Sequence, residues 1–190
     1  MSKAENQGRQ PSLELVVDPG LNGVAMPNPA TPRFDKNARS DRPLVIRGDA
    51  PVRPQLTDLS GVDIEPLRQA AAGASRLSYS PYSGFPVGAA VLTESGEVFA
   101  ATNVENASYG LTICAERNAI FHAVVKGSRK IKALLIYTPT GEPTAPCGAC
   151  RQVLYEFGPQ ADIFSVCDSD KVLHHKLSEL LPEAFGPQSL

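Results

Sequence analysis

The chain has 190 residues, 42% of them hydrophobic, which suits one domain of ordinary size with a buried core and some additional length. Lysine and arginine number 18 against 20 acids, and the formal net charge of −2 offers no field for a phosphate backbone, which argues against stable nucleic-acid binding. No run resembles a signal h-region or a membrane span, so no membrane association is expected and the cytoplasm is the default compartment.

Residues 1–57 are rich in proline, with Met26-Pro27-Asn28-Pro29-Ala30-Thr31-Pro32 and Arg42-Pro43, and carry little apolar periodicity beyond Leu13-Glu14-Leu15-Val16-Val17. That composition predicts a disordered N-terminal arm, leaving residues 58–190 as the folded domain. The arm contains acids, which a transit peptide would lack. A helix is predicted from about Asp63 to Leu77, with Pro66 tolerated because it falls in the first turn. The loop Ser78 to Gly84 leads into a hairpin, with strands at about Val87 to Thr93 and Glu97 to Thr102 joined across Glu94-Ser95-Gly96.

A second helix begins near Cys114, with Ala115, Ala119, Ile120, Ala123 and Val124 on its apolar side and Gly127 as its C-terminal cap. The strand Ile131 to Tyr137 follows. A third helix starts at Cys147, with Cys150, Val153, Leu154 and Phe157 at i, i+3, i+4 and i+7, Pro146 before it and Gly158-Pro159 closing it. The strand Ala161 to Cys167 and a short helix near Leu177 to Leu181 complete the pattern. Alternation of strand and helix implies an α/β fold with a mixed sheet and the cysteine-bearing helices on one face.

Those cysteines carry the chemistry. A catalytic zinc keeps three protein ligands and an open fourth position, and Cys114, Cys147 and Cys150 supply that count. Both helices start at a cysteine, so two positive helix ends would converge on one metal, lowering thiolate pKa values and offsetting part of their charge. Glu116 follows Cys114 by two residues and is the acid such a site needs as a proton shuttle, beside the metal without ligating it. Alone, Cys147-Gly148-Ala149-Cys150 would equally suit a redox pair or half of a structural zinc site. A structural site wants a fourth ligand, and Cys167 lies in an apolar strand pattern as a small buried hydrophobe. A redox pair has no use for Glu116. His122, His174 and His175 show no ligand spacing with the cysteines and read as surface or core residues. Cys-x-Glu followed by Pro-Cys-x-x-Cys is the arrangement of zinc enzymes that deaminate nucleobases.

The chain resembles the cytidine deaminase family, specifically its small, three-cysteine, homotetrameric branch, across roughly residues 63 to 187. The resemblance rests on Pro81-Tyr82-Ser83-Gly84-Phe85-Pro86-Val87-Gly88-Ala89-Ala90, Asn103-Val104-Glu105-Asn106-Ala107-Ser108-Tyr109 and Cys114-Ala115-Glu116-Arg117. Pro146 through Leu154 and the C-terminal Leu180-Leu181-Pro182 and Phe185-Gly186-Pro187 extend it. It implies an α/β/α sandwich, one zinc per chain on Cys114, Cys147 and Cys150, and Glu116 as the catalytic acid-base. Arg117 matches a residue that donates to the ligating sulfurs. Asn103 and Glu105 match contacts to the ribose hydroxyls, Phe85 an aromatic packed on the base, and Ala115 a further substrate-binding position. Ala107, Tyr109 and Phe185 match positions that reach a neighbouring chain's site. The implied reaction is hydrolytic deamination of cytidine and deoxycytidine in pyrimidine salvage.

Two stretches depart from the family pattern. Leu134 to Thr140 replaces small residues and an acid near the site entrance, and Ala101-Thr102 replaces a common Gly-Cys. The first keeps open a deaminase for a modified cytosine nucleoside or a nucleoside antibiotic. A zinc-containing nucleoside-binding protein without catalysis is opposed by the intact Glu116, and a nucleic-acid base editor by the absence of a basic stripe.

Overall fold

The computed structural model describes residues 61–190, and the arm expected over residues 1–57 lies outside them. Helix α1 (Glu65–Ser75) opens the fold, with Pro66 in its first turn where no intrahelical N–H is needed. Strands β1 (Gly88–Thr93) and β2 (Val98–Thr102) form the expected hairpin, followed by α2 (Ala115–Val125), β3 (Ile131–Tyr137), α3 (Gly148–Phe157) and β4 (Asp162–Val166). A short strand β5 (Val172–Lys176) and the one-turn helix α4 (Leu177–Leu180) close the chain.

The five strands lie in the order β2-β1-β3-β4-β5. Pairings β1–β2, β1–β3 and β4–β5 are antiparallel and β3–β4 is parallel, so the sheet is mixed as expected. Alternate side chains divide between two cores. Ala89, Val91, Leu134, Ile136 and Ile163 meet Ala119 and Ile120 of α2 and Leu154 of α3 on one face. Ala90, Ala133, Leu135 and Phe164 meet Leu67 and Ala71 of α1 on the other. Each fully buried Leu or Ile contributes about 1.5–3 kcal/mol, so both faces are held and the layering is α/β/α.

α1 lies so close to the sheet that only glycine fits beneath it: a Cβ on Gly88 would stand 1.8 Å from the Ala71 carbonyl oxygen. α2 ends as expected at Gly127, whose φ of +94° turns the chain. Gly127 N–H donates to the Val124 carbonyl and Ser128 N–H to that of Ala123, a Schellman closure.

β5 is the element the sequence reading omits between Cys167 and Leu177. Val172-Leu173-His174-His175-Lys176 shows no alternation, and its pairing to β4 supplies the order instead. His174 Nε2 and Lys176 Nζ each lie 2.8 Å from an oxygen of the buried Asp162, and the His174 ring stacks on Phe164. Such polar side chains also guard an exposed sheet edge against pairing with another chain.

The register sets where function can lie. Gly88 pairs with Thr102 and Tyr137, and Tyr137 pairs with Val166, so the carboxyl ends of β2, β3 and β4 share one edge of the sheet. The chain leaving β2 delivers Cys114, and the chain leaving β3 delivers Cys147.

Candidate active site

Cys114 and Cys147 are the N-cap residues of α2 and α3, each with extended backbone, and Cys150 sits one turn into α3. The sulfur of Cys147 lies 4.0 Å from that of Cys114 and 3.4 Å from that of Cys150. All three sulfurs fall within 4.8 Å of one another, and they are the grouping of metal-ligating side chains among the described residues. A tetrahedral zinc with bonds of about 2.3 Å separates its sulfur ligands by about 3.8 Å, so the donor set fits zinc in number, softness and spacing.

Their electrostatics give the same answer. The Cys114 thiol is pulled down to about 5 by a hydrogen bond from Cys150 and then by Arg117, while Cys150, acting as donor beside that thiolate and buried, is pushed up. Three thiols packed this closely cannot all ionise without a cation among them. Arg117 Nη2 donates to the Thr112 carbonyl (3.1 Å) and to Cys114 Sγ (3.7 Å), placing a positive charge against the cluster.

Glu116 occupies a core position of α2, on the same stripe as Ala119, Ile120 and Ala123, and is 5% exposed. Burial lifts its carboxyl above the usual range, and the Cys114 thiolate adds to the lift. A carboxyl whose pKa is raised toward neutrality next to a metal cradle is suited to both accepting and donating a proton. Ala115 beside it, at the start of α2, is fully buried.

The residues after β2 run on in extended form. Val104 bridges to Tyr79 and to Ile113, which ties the loop before β1 to the approach to Cys114. Asn103 is buried. Its Oδ1 accepts from Val87 N–H (2.9 Å) and Ser78 Oγ–H (2.6 Å), and its Nδ2 donates to the Phe85 carbonyl (3.0 Å) and keeps a second N–H. Glu105 Oε2 accepts from the N–H groups of Tyr82 (2.8 Å) and Ser83 (3.2 Å), and Oε1 accepts from the Ser83 hydroxyl (2.5 Å). Partial burial, the largest single influence, pushes the Glu105 carboxyl up, but the Ser83 and Tyr82 hydrogen bonds together outweigh it and hold the group below the usual range. Of roughly four acceptor sites on a carboxylate, three are occupied and one remains.

Phe85 is 38% exposed in the same loop, Ala107 is exposed, and Tyr109, 73% exposed, meets Tyr82 edge to face at 5.8 Å. Phe185 is 63% exposed on the C-terminal segment, where Gln152 of α3 donates to its carbonyl (2.9 Å). Sequence reasoning did not assign Ser83, Thr112, Arg151 or Asn118 to the site's support. Arg151 binds the Pro146 and Leu180 carbonyls, and Asn118 Nδ2 binds that of Thr102 (2.9 Å). Asn118, at the fourth position of α2, follows Glu116 and Arg117 in a polar first turn, so nothing in the sequence marks it out.

Cys167 is buried, beside Ser169 and outside the sulfur cluster, as expected. His122 meets the Ala100 carbonyl, His174 pairs with Asp162 and His175 with Glu179, so none of the histidines joins the cysteines. Tyr137, within the departure from the family pattern, packs in the core on the α1 side of the sheet and donates to Asp168. That face is opposite the one covered by α2 and α3.

Three thiols at two converging helix starts, with a buried carboxyl of raised pKa on the core stripe of α2, fit a zinc-dependent hydrolytic class of protein. The comparisons narrow it. A family model described as "Cytidine and deoxycytidylate deaminase zinc-binding region" matches residues 63–166. The cytidine deaminase of Sporosarcina psychrophila is 41% identical over 130 residues, covering 68% of this chain and 96% of that protein. That of Halalkalibacterium halodurans is 42% identical over 130 residues, covering 68% and 98%. The crystal structure of cytidine deaminase from Burkholderia pseudomallei superposes with a TM-score of 0.61 at 46% identity, over 63% of this chain and 97% of that one. The chain belongs to the cytidine and deoxycytidylate deaminase family.

Proposed function

We propose that this protein hydrolyses the C4 amino group of cytidine and deoxycytidine, releasing ammonia and leaving uridine or deoxyuridine. The observation that carries the reading is Glu116, a buried acid with a raised pKa, two residues along α2 from Cys114, whose sulfur clusters with those of Cys147 and Cys150. Zinc held by Cys114, Cys147 and Cys150 supplies, when bound, the Lewis acidity that makes water a competent nucleophile at neutral pH. Glu116 takes the proton of the attacking water, delivers a proton to ring N3, and then serves the departing amino group. The oxygen of water becomes the C4 carbonyl oxygen, the C4–N bond breaks, and nitrogen leaves as ammonia. Arg117 holds the Cys114 sulfur and offsets thiolate charge.

The chain's other groups select and orient the substrate. Phe85 offers a flat apolar face to the pyrimidine. The remaining acceptor site of Glu105 and the second amide N–H of Asn103 suit one ribose hydroxyl, the first accepting its proton and the second donating to its oxygen. One such hydroxyl is common to ribose and deoxyribose, which supports use of both nucleosides. Ala107, Tyr109 and the exposed Phe185 complete the site of a neighbouring chain in a homotetramer, and the work is pyrimidine salvage in the cytoplasm. No helix among the described residues is long and apolar enough to cross a membrane. The test is ammonia release from purified, zinc-loaded protein given cytidine, deoxycytidine, cytosine, cytidine monophosphate and adenosine. Turnover of the two nucleosides far above the rest is expected, and a preference for the monophosphate or the free base would overturn the assignment.

A further inference from the structure

Ser83 joins two parts of the site that the proposed function treats separately. Its hydroxyl donates to Glu105 Oε1 (2.5 Å) and accepts the N–H of Phe85 (3.0 Å), while its own N–H donates to Glu105 Oε2 (3.2 Å). A hydroxyl has one donor and two acceptor sites, so both bonds form at once, and the donor direction is dictated because an ionised carboxylate can only accept. The low pKa of Glu105 keeps that direction at neutral pH.

The surroundings leave Phe85 dependent on this link. The Phe85 carbonyl is held from the other side by Asn103 Nδ2 (3.0 Å), so the peptide units on both sides of the Phe85 Cα are fixed, one through Ser83 and one through Asn103. Ser83 and Phe85 are exposed, and neither appears in the buried clusters, so packing alone does not set the aromatic ring. Gly84 between them has a φ of +64°, a turn that brings the Phe85 N–H back to the Ser83 oxygen.

We propose that Ser83 is a positioning residue: it transmits the position of the sugar-side carboxylate Glu105 to the base-side ring Phe85, so that sugar and base are gripped as one unit. The proposal rests on the reading of Glu105 and Phe85 as substrate contacts. Removing the hydroxyl takes one donor from Glu105 and the acceptor from Phe85 N–H while leaving the two main-chain bonds to Glu105 in place. The loss should therefore fall on binding rather than on the chemical step, because Glu116 and the sulfurs are untouched.

The test compares Ser83→Ala, Ser83→Thr, Phe85→Ala and the Ser83→Ala/Phe85→Ala pair in zinc-loaded full-length protein, with two readouts. Ser83→Ala should raise KM for cytidine about tenfold with kcat within about threefold, as expected of a lost hydrogen bond to a charged group. Ser83→Thr, which keeps the hydroxyl at an exposed position, should restore KM to within about threefold of the parent. In the Phe85→Ala background, Ser83→Ala should raise KM less than about threefold, because the ring it positions is gone. Independently of activity, amide hydrogen exchange at Phe85 should accelerate about tenfold or more in Ser83→Ala and not in Ser83→Thr. Equal KM penalties in both backgrounds, no recovery with threonine, or unchanged Phe85 exchange would each overturn the relay. Failure of the parent to turn over any cytosine nucleoside overturns the reading of the reaction instead, and exchange at Phe85 still decides whether the relay exists.

Discussion

At the scale of single residues the proposed mechanism separates groups that hold the metal from the group that moves protons. Glu116 is not one of the clustered sulfurs, so Glu116→Gln should keep both fold and zinc while lowering kcat by about 10²- to 10⁴-fold, the range of a general acid-base. Metal analysis alongside steady-state kinetics checks this, and near-normal turnover with retained zinc would remove Glu116 from its role. Alanine at Cys114, Cys147 or Cys150 should release zinc and abolish activity. Cys167→Ala, buried away from the cluster, should bind stoichiometric zinc and lose only packing, about 1 kcal/mol. Loss of zinc from Cys167→Ala would mean a fourth ligand and no open position for water. Because the ligands must be deprotonated to bind, zinc retention in the parent should weaken as pH falls, and the sign is fixed: protons compete with the metal for sulfur.

At the scale of elements, α2 and α3 do two things with one end. Their N-termini present sulfur, and their remaining turns bury Ile120 and Leu154 against β1, β3 and β4, so the metal cradle is anchored by the core itself. α1 on the opposite face is seated just as firmly, and its seat depends on Gly88. Gly88→Ala would drive a methyl to 1.8 Å from the Ala71 carbonyl oxygen and 2.8 Å from Ser75 N, both main-chain atoms that cannot turn aside. The expected cost is about 1–3 kcal/mol of overpacking. That corresponds to a Tm lowered by roughly 3–10 °C in a thermal melt. An unchanged Tm would show that α1 slides freely on the sheet. β5 contributes differently: its His174 and Lys176 meet a buried carboxylate, Asp162, that would otherwise lack compensating charge.

At the scale of the whole molecule, large apolar side chains stand exposed around the site. Tyr79, Tyr82 and Phe85 line the loop before β1, and Val104, Tyr109 and Leu111 the chain after β2. Exposed apolar surface of this kind is what the proposed shared-site assembly would cover. The segment carrying the exposed Phe185 is tied to α3 by the Gln152 bond to its carbonyl and by Gly186 seated against Tyr155. If the chain forms the proposed tetramer with shared sites, Phe185→Ala should impair activity with zinc in place. Mixing it with Glu116→Gln chains under subunit exchange should then restore activity above both parents, because some sites would combine an intact Glu116 with an intact Phe185. Mixed oligomers that never exceed the two parents, or a fully active monomer by sedimentation, would rule out the composite site.

Most of the fold and the candidate metal ligands were legible in the sequence because their signals are local. A cysteine at a helix start, a second one turn later, an acid on the core stripe and a glycine beyond the last turn are all separated by a few residues of known geometry. What no local pattern contains is the meeting of Cys114 and Cys147, 33 residues apart in the chain and 4.0 Å apart at sulfur, which depends on β2, β1 and β3 aligning their ends. The same holds for Ser83 and Glu105, 22 residues apart. It holds too for β5, whose strand character comes from its partner, and for Tyr137, whose face of the sheet follows from register. By itself the sequence determined which residues could bind zinc and move a proton, since side-chain chemistry and helix geometry act over short separations. Only the tertiary structure decided which loops carry those groups to one edge of the sheet and how Glu105, Ser83 and Phe85 interlock, because hydrogen bonds between distant segments exist only once the strand register is set.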